Sequence, residues 1–402
     1  MVKLQDIWQA RENLYGVIHE TKLDLSHTFS TLSGNEVYLK TENLQKTGSF
    51  KIRGAYNKIV SLTEDEKKKG VIAASAGNHA QGVAYGATKA GISSTIVMPE
   101  GAPLSKVLAT KGYGAEVVLH GHVYDDAYQK ALDLQKETGA TFIHAFDDKE
   151  VIAGQGTIGL EILDELPEVD AIVVPIGGGG LISGIAVAVK TLKPNVRVIG
   201  VEAEGAACAK ASRESQKICQ LTTAQTIADG IAVKCPGELT FELIEKYVDD
   251  IVTVSDEEIA STILLLLERA KLVAEGSGAA SLAAVLYRQD LLKNKKVAVV
   301  ISGGNIDVNF TSRIIEKGLV KTGRNAELRT IIDDRPGALQ QLLSIIAANK
   351  ANVISINHHR LDPDIPLNKA QVDVLLETQS REHVEMIMKD LNSRGYNVQV
   401  II

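Results

Sequence analysis

Aromatic side chains make up only 4% of the 402 residues, and Trp8 is the single tryptophan. A nucleic-acid surface of interleaved aromatic and basic residues therefore has little to draw on. The basic residues are themselves outnumbered, 43 Lys and Arg against 50 Asp and Glu, and the formal charge is −7. With a pI of about 5.8, the chain has no global positive field to attract phosphate backbones, and no nucleic-acid partner is expected. Cysteine is scarce too. Cys208, Cys219 and Cys235 form neither a C-x-x-C pair nor a cluster with histidine, which argues against a disulfide framework or a structural zinc site and fits a reducing, cytoplasmic compartment. The opening MVKLQDIWQA lacks the apolar run of a signal peptide. One uncharged run, AIVVPIGGGGLISGIAVAV (171–189), approaches the length of a membrane span. Pro175 and four successive glycines split it into a β-branched run and an apolar helix, so a buried strand, loop and helix is expected and no membrane partner.

What is present points to an α/β enzyme. Hydrophobic residues reach 45%, and there are 34 glycines. Short apolar runs recur at 36–40, 70–75, 93–98, 115–120, 171–176, 196–202 and 296–302. Amphipathic patterns at 79–91, 125–138 and 256–270 lie between them. This alternation predicts parallel sheets built from βαβ units, and in such sheets ligands gather at the carboxyl ends of the strands. The pattern changes after a helix-like segment, 308–323. From Glu327 the order reads strand, helix, strand, strand, helix, strand, which predicts a ferredoxin-like βαββαβ module with a boundary near residue 325. Pro336 is expected in the first turn of the module's first helix, where a missing N–H costs nothing.

Four segments carry the chemistry. KTGSFKIRGA (46–55) sets Lys51 among small residues at a helix start. A lysine is most often a solvated surface group. Partly desolvated near a helix N-terminus, it becomes an amine of depressed pKa ready to form a Schiff base. SAGNHAQG (75–82) offers Ser75, Gly77, Asn78, His79 and helix-start amides, suited to a carboxylate and a ring hydroxyl, although Ser75 as an ordinary helix cap reads equally well in isolation. His79, in a first helical turn, reads as a structural hydrogen-bonder rather than a catalytic group. GGGGL (177–181) turns several amides into one concavity ahead of a helix, a phosphate cradle. It is not a P-loop, because Leu181 and Ile182 stand where Lys and Ser or Thr belong. SGGN (302–305) follows the last strand of the main region, and Ser302 alone would read as a strand-end cap.

Together these segments, in this order and spacing, resemble the fold-type II pyridoxal-phosphate family, in its threonine dehydratase and serine racemase branch, over roughly residues 5 to 320. The resemblance implies pyridoxal 5′-phosphate as cofactor and two parallel-rich α/β sheets, the smaller half spanning about 47–150. It implies that Lys51 is the Schiff-base lysine with Phe50 beside it, and that Asn78 meets the pyridoxal hydroxyl. Gly177, Gly178, Gly179, Gly180 and Leu181 would hold the phosphate, and Ser302 would meet the pyridine nitrogen. Ser75, Gly77, Asn78 and His79 would line the substrate site. A hydroxyl opposite the pyridine nitrogen does not favour a protonated ring, which suits β-elimination over transamination. The expected activity is removal of water and ammonia from L-threonine, with side activity on L-serine.

Close relatives separate on single residues. Serine racemases place a second serine before the Gly-Asn-His turn, and Ala76 stands there in this chain, so dehydration is expected to outrun racemisation. Some relatives bind a divalent cation with two carboxylates and a backbone carbonyl. Glu202 and Ala206 match that pattern, but Cys208 replaces the second carboxylate, and thiols bind hard cations poorly. Water or a monovalent ion is the alternative occupant. Glu275, in AEGSGAAS (274–281), reads either as a residue near the cofactor or as a helix-start carboxylate. The C-terminal module resembles an ACT domain, chiefly through DDRPGALQQLL (333–343). That implies an amino-acid or nucleotide effector and a homodimer or homotetramer, with a ligand-free dimerisation module as the other reading. A non-catalytic amino-acid sensor is the alternative to the enzyme, and the retained Lys51 argues against it.

Overall fold

The computed structural model describes residues 1–361 and 363–401. Each expected apolar run forms a strand, because β-branched residues pack well on a pleated surface buried on both faces. In chain order the strands of the catalytic part are β1 (Leu23–Leu25), β2 (Glu36–Lys40), β3 (Val71–Ala74), β4 (Ser94–Met98), β5 (Glu116–Leu119), β6 (Thr141–Phe142), β7 (Ala171–Pro175), β8 (Arg197–Ala203), β9 (Asp250–Val254) and β10 (Lys296–Val300). They make two sheets. The larger has the order β1-β2-β10-β7-β8-β9, parallel throughout except where β1 pairs with β2. The smaller, β5-β4-β3-β6, is wholly parallel. Three strands lie outside the expected runs. β1 and β6 have three and two residues, too short for a periodic signal, and β9 is an edge strand with one side partly solvated.

The run 171–189 folds as a strand, a glycine turn and the helix Gly180–Leu192. Among the described residues no helix is long and apolar enough to cross a membrane. This helix packs against Lys149–Glu165 so closely that a Cβ on Gly184 would lie 2.3 Å from the carbonyl oxygen of Ile152. Lys149–Glu165 in turn meets the helix Lys51–Val60, since a Cβ on Gly154 would sit 2.5 Å from the Arg53 carbonyl oxygen. Backbone-to-backbone packing of three helices thus places Lys51 at a fixed height relative to the glycine turn. The expected helix 256–270 is regular only over Asp256–Leu265. It widens to a π-turn at Leu266–Ala270 and stops at Lys271, which takes φ 59°.

The chain divides into two compact units, Met1–Ile306 and Asp307–Ile402. The expected boundary near residue 325 falls instead at the first strand of the second unit. The helix Val308–Lys321 belongs with that unit because it runs directly into β11 (Asn325–Asp333), with the Arg324 amide donating to the Leu319 carbonyl. The remaining strands are β12 (Asn352–His359), β13 (Lys369–Glu377) and β14 (Gln399–Val400). With helices Ala338–Ala348 and Arg381–Ser393 they give the βαββαβ order and an antiparallel sheet β12-β13-β11-β14. Pro336 does not occupy the first helical turn. Gly337 caps the helix in the left-handed region, φ 85°, so the proline lies one residue before the cap and rigidifies the approach.

Candidate functional site

In the first unit, three chemistry-bearing loops leave the carboxyl ends of parallel strands: SAGN after β3, the glycine turn after β7 and SGGN after β10. The fourth segment, around Lys51, is fastened to SGGN by backbone. Ser49 bridges Gly303, and the Phe50 amide donates to the Ser302 carbonyl at 3.1 Å. Lys51 opens the helix Lys51–Val60, and its Nζ donates to the carbonyl of Ala145 at 3.0 Å. Burial depresses the amine to about 8, with the nearby Glu275 pulling partly the other way. A lysine in this state has a sizeable uncharged fraction near neutrality, which a solvated lysine lacks.

The SAGN turn starts the helix Asn78–Ala90. Ser75 Oγ accepts from the Gly77 amide at 3.1 Å, and Asn78 Nδ2 donates to Glu275 Oε1 at 2.7 Å. Ser277 Oγ donates to the same oxygen at 2.6 Å. Burial pushes the Glu275 carboxyl up to about 7, while these two hydrogen bonds hold it from rising further. Gly303 has no room for a side chain here, since a Cβ would lie 2.4 Å from Glu275 Oε1. Glu275 thus caps the helix Gly276–Tyr287 by position and also faces Asn78. His79 is buried and its Nε2 lies 2.8 Å from the Ile143 carbonyl. Burial, then the charge of Lys51, lowers its pKa to about 3, so the ring is neutral and Nε2 is the donor. Ser302 is also buried, with Oγ 3.3 Å from the Ser277 carbonyl, a long bond that leaves the hydroxyl able to take a better partner.

The glycine turn is built around the aromatic ring of Phe146. A Cβ on Gly178 would fall 2.3 Å from that ring, and one on Gly180 would fall 2.8 Å from the Phe146 carbonyl oxygen. Gly179 takes φ 95° as the cap of Gly180–Leu192, and Thr240 Oγ1 donates to the Gly178 carbonyl at 2.6 Å. With that carbonyl turned away, the amides of Gly177, Gly178 and Gly179 meet no protein acceptor among the described residues. Those of Gly180 and Leu181 lie in a helix's first turn, where no intrahelical partner exists. Convergent free amides at a helix N-terminus suit a phosphate, and a buried lysine of depressed pKa suits its aldehyde. The residues present fit pyridoxal phosphate.

Glu202 is fully buried and its pKa rises to about 7 through burial. Its two oxygens accept from the amides of Ala209 and Lys210 at 2.8 Å each, capping the helix Cys208–Ser215. Ala206 lies in the short turn before it, and the Cys208 thiol, pushed up to about 12, stays protonated beside Glu202. Among the described residues no group of three His, Cys, Asp or Glu is arranged to hold a metal. Several site residues had no expectation attached. Ala145 and Phe146 follow the two-residue β6 and carry no motif. Asn305 Nδ2 donates to Asn78 Oδ1 at 2.8 Å. Its place inside SGGN was the available signal.

Residues 14–303 match the family described as pyridoxal-phosphate dependent enzyme, and residues 321–395 match the ACT domain. The L-threonine ammonia-lyase of Thermotoga maritima is 55% identical over 401 residues, covering 100% of both chains. The processed form of threonine deaminase isoform 2 from Solanum lycopersicum superposes with a TM-score of 0.75 at 39% identity, over 78% of this chain and 86% of that one. Maize serine racemase gives a TM-score of 0.74 at 36% identity, over 80% and 98%.

Proposed function

This chain belongs to the pyridoxal-phosphate-dependent enzymes and ends in an ACT domain, and from that premise we propose that it is an L-threonine ammonia-lyase releasing 2-oxobutanoate and ammonia, with side activity on L-serine. The observation that carries the reading is the Lys51 amine, held at the Ala145 carbonyl and lowered to about 8 by its removal from water. The similarity to named L-threonine ammonia-lyases supports the substrate.

Bound pyridoxal phosphate supplies the electron sink that makes the substrate's Cα proton removable. The protein's own groups do the rest. Amides of Gly177 to Leu181 would hold the phosphate, with Phe50 and Ser302 beside the ring and Ser302 a neutral partner for its nitrogen. Asn78 would present an N–H to the ring hydroxyl. Ser75, Gly77 and the first amides of Asn78–Ala90 receive the substrate carboxylate, the positive end of the helix favouring the anion. His79, neutral and tied to the Ile143 carbonyl, supports this turn without exchanging protons. Lys51 Nζ, as a free amine, would take the proton from Cα. The β-hydroxyl would then leave as water, taking up the proton that Lys51 has received. Ala76, standing where serine racemases carry a second serine, has no proton to give, so racemisation is slow beside elimination.

Met1–Ile306 is the catalytic unit, with 47–150 as its smaller half, and Asp307–Ile402 the regulatory one, which takes an amino-acid or nucleotide effector and favours a homo-oligomer in the cytoplasm. Purified protein is assayed by its visible spectrum and by 2-oxobutanoate release on adding L-threonine. Absorbance with product supports the reading. Absorbance without product moves the substrate to another β-hydroxy amino acid. Neither signal after reconstitution with pyridoxal phosphate overturns it in favour of an amino-acid sensor.

A further inference from the structure

The side-chain amide of Asn78 has two ends with opposite chemistry, and which end faces the site is fixed from outside. Asn305 Nδ2 donates at 2.8 Å to the carbonyl oxygen of Thr47 and at 2.8 Å to Asn78 Oδ1. A carbonyl only accepts, so the Thr47 oxygen obliges Asn305 to turn its NH₂ group that way. The second N–H of the same group then points at Asn78, which must answer with oxygen. Asn78 Nδ2 is thereby committed to the other side, where it donates one hydrogen to Glu275 Oε1 at 2.7 Å and has a second hydrogen left. The chain of constraints begins at a main-chain atom and ends at the site. Asn305 itself is tightly seated, since Gly48, at φ 70°, leaves so little space that a Cβ there would lie 2.3 Å from Asn305 Oδ1.

We propose that Asn305 is a positioning residue: anchored on the Thr47 carbonyl, it holds the Asn78 carboxamide so that a donor, never the oxygen, faces the cofactor ring. The inference rests on the reading that Asn78 meets the ring hydroxyl. A hydrogen-bond donor there stabilises that oxygen as an anion, whereas a flipped amide would set oxygen against oxygen. Asn305 touches neither cofactor nor substrate in this scheme and acts only through Asn78.

The test uses full-length holoenzyme and reads cofactor retained after dialysis, the visible absorbance maximum and the melting temperature. Asn305→Asp places an acceptor against the Thr47 carbonyl and turns the Asn78 amide round. The expected result is cofactor affinity weaker by about 10- to 100-fold, the loss of one hydrogen bond to a charged group, with a displaced absorbance maximum. A second variant, Asn305→Asp with Glu275→Gln, separates positioning from packing. The carboxamide that Glu275→Gln introduces can donate to the flipped Asn78 oxygen, so that contact is satisfied again and melting temperature recovers in part, the acceptor at position 305 still facing the Thr47 carbonyl, while the site still faces oxygen and cofactor retention does not recover. Glu275→Gln alone keeps Asn78 as the donor and retains cofactor. Recovery of both readouts in the double variant makes Asn305 merely structural and overturns the proposal, as does wild-type retention and absorbance in Asn305→Asp. Should Asn305→Asp fail to fold, Asn305→Ala with Glu275→Gln, in which no fixed acceptor or donor holds the Asn78 amide, is compared with Glu275→Gln alone: weaker cofactor retention supports positioning and equal retention overturns it. Wild-type protein that binds no pyridoxal phosphate refutes the functional reading itself, a result distinct from either.

Discussion

Replacing Arg53 by methionine tests how the lysine helix is anchored. Arg53 lies two residues beyond Lys51 and is completely buried. Its guanidinium binds Glu42 through Nε at 2.8 Å and Nη2 at 2.7 Å, and it reaches Glu161 through Nη1 and Nη2 and Thr157 through Nη1. These carboxylates hold the guanidinium firmly charged against the cost of burial. Methionine fills similar volume, so the cavity contribution is small and the electrostatic one dominates. Glu161 keeps Lys40 at 2.8 Å. Glu42, fully buried, keeps among the described residues the hydroxyl of Thr21 alone. Removing one partner of a buried pair costs about 3–5 kcal/mol, chiefly because the other charge is stranded. For a unit the size of Met1–Ile306 that corresponds to a melting temperature lower by about 5–8 °C. Calorimetry on cofactor-saturated Arg53→Met and wild type measures it. Adding Glu42→Gln neutralises the stranded charge and should return at least half of the loss. A drop below about 1 kcal/mol, or no recovery in the double variant, refutes the reasoning, because either result means that Glu42 does not depend on Arg53.

Three further outcomes follow from the site. Gly178→Ala drives a methyl into the Phe146 ring, which should cost about 1–3 kcal/mol and open the cradle; phosphate retention equal to wild type in equilibrium dialysis contradicts the assigned loop. With Lys51 at about 8, the uncharged amine grows as pH rises, so the rate at which cofactor-free protein takes up pyridoxal phosphate should climb about tenfold per pH unit below that value and level off above it. Because the Glu275 charge raises the Lys51 pKa, Glu275→Gln should move this limb to lower pH, and a shift upward contradicts the assigned coupling. Deleting Asp307–Ile402, a separate compact unit, should preserve turnover and abolish any response to branched-chain amino acids; a response surviving in the truncated enzyme places the effector site in the catalytic unit.

Local sequence was enough for the α/β architecture, the βαββαβ module and the strand-end loops, because each is encoded within a short window. Buried parallel strands need continuous β-branched runs, as at 171–174 and 296–300, and a turn that brings backbone near a ligand needs glycine, as at 177–180. Lys51, Asn78 and Ser302 were legible because each sits inside such a turn or at a helix start. Folding in three dimensions supplied what no window of neighbouring residues contains. Arg53 is separated by 108 residues from its partner Glu161, Asn305 by 227 from Asn78, and Ala145 by 94 from the amine it holds. Hydrogen bonds of this kind leave no periodic trace, since each partner is specified by which helices and loops meet in space. The same cause explains the pKa values. Lys51 and Glu275 are ordinary side chains in the sequence, and only their removal from water brings an amine down to about 8 and a carboxyl up to about 7.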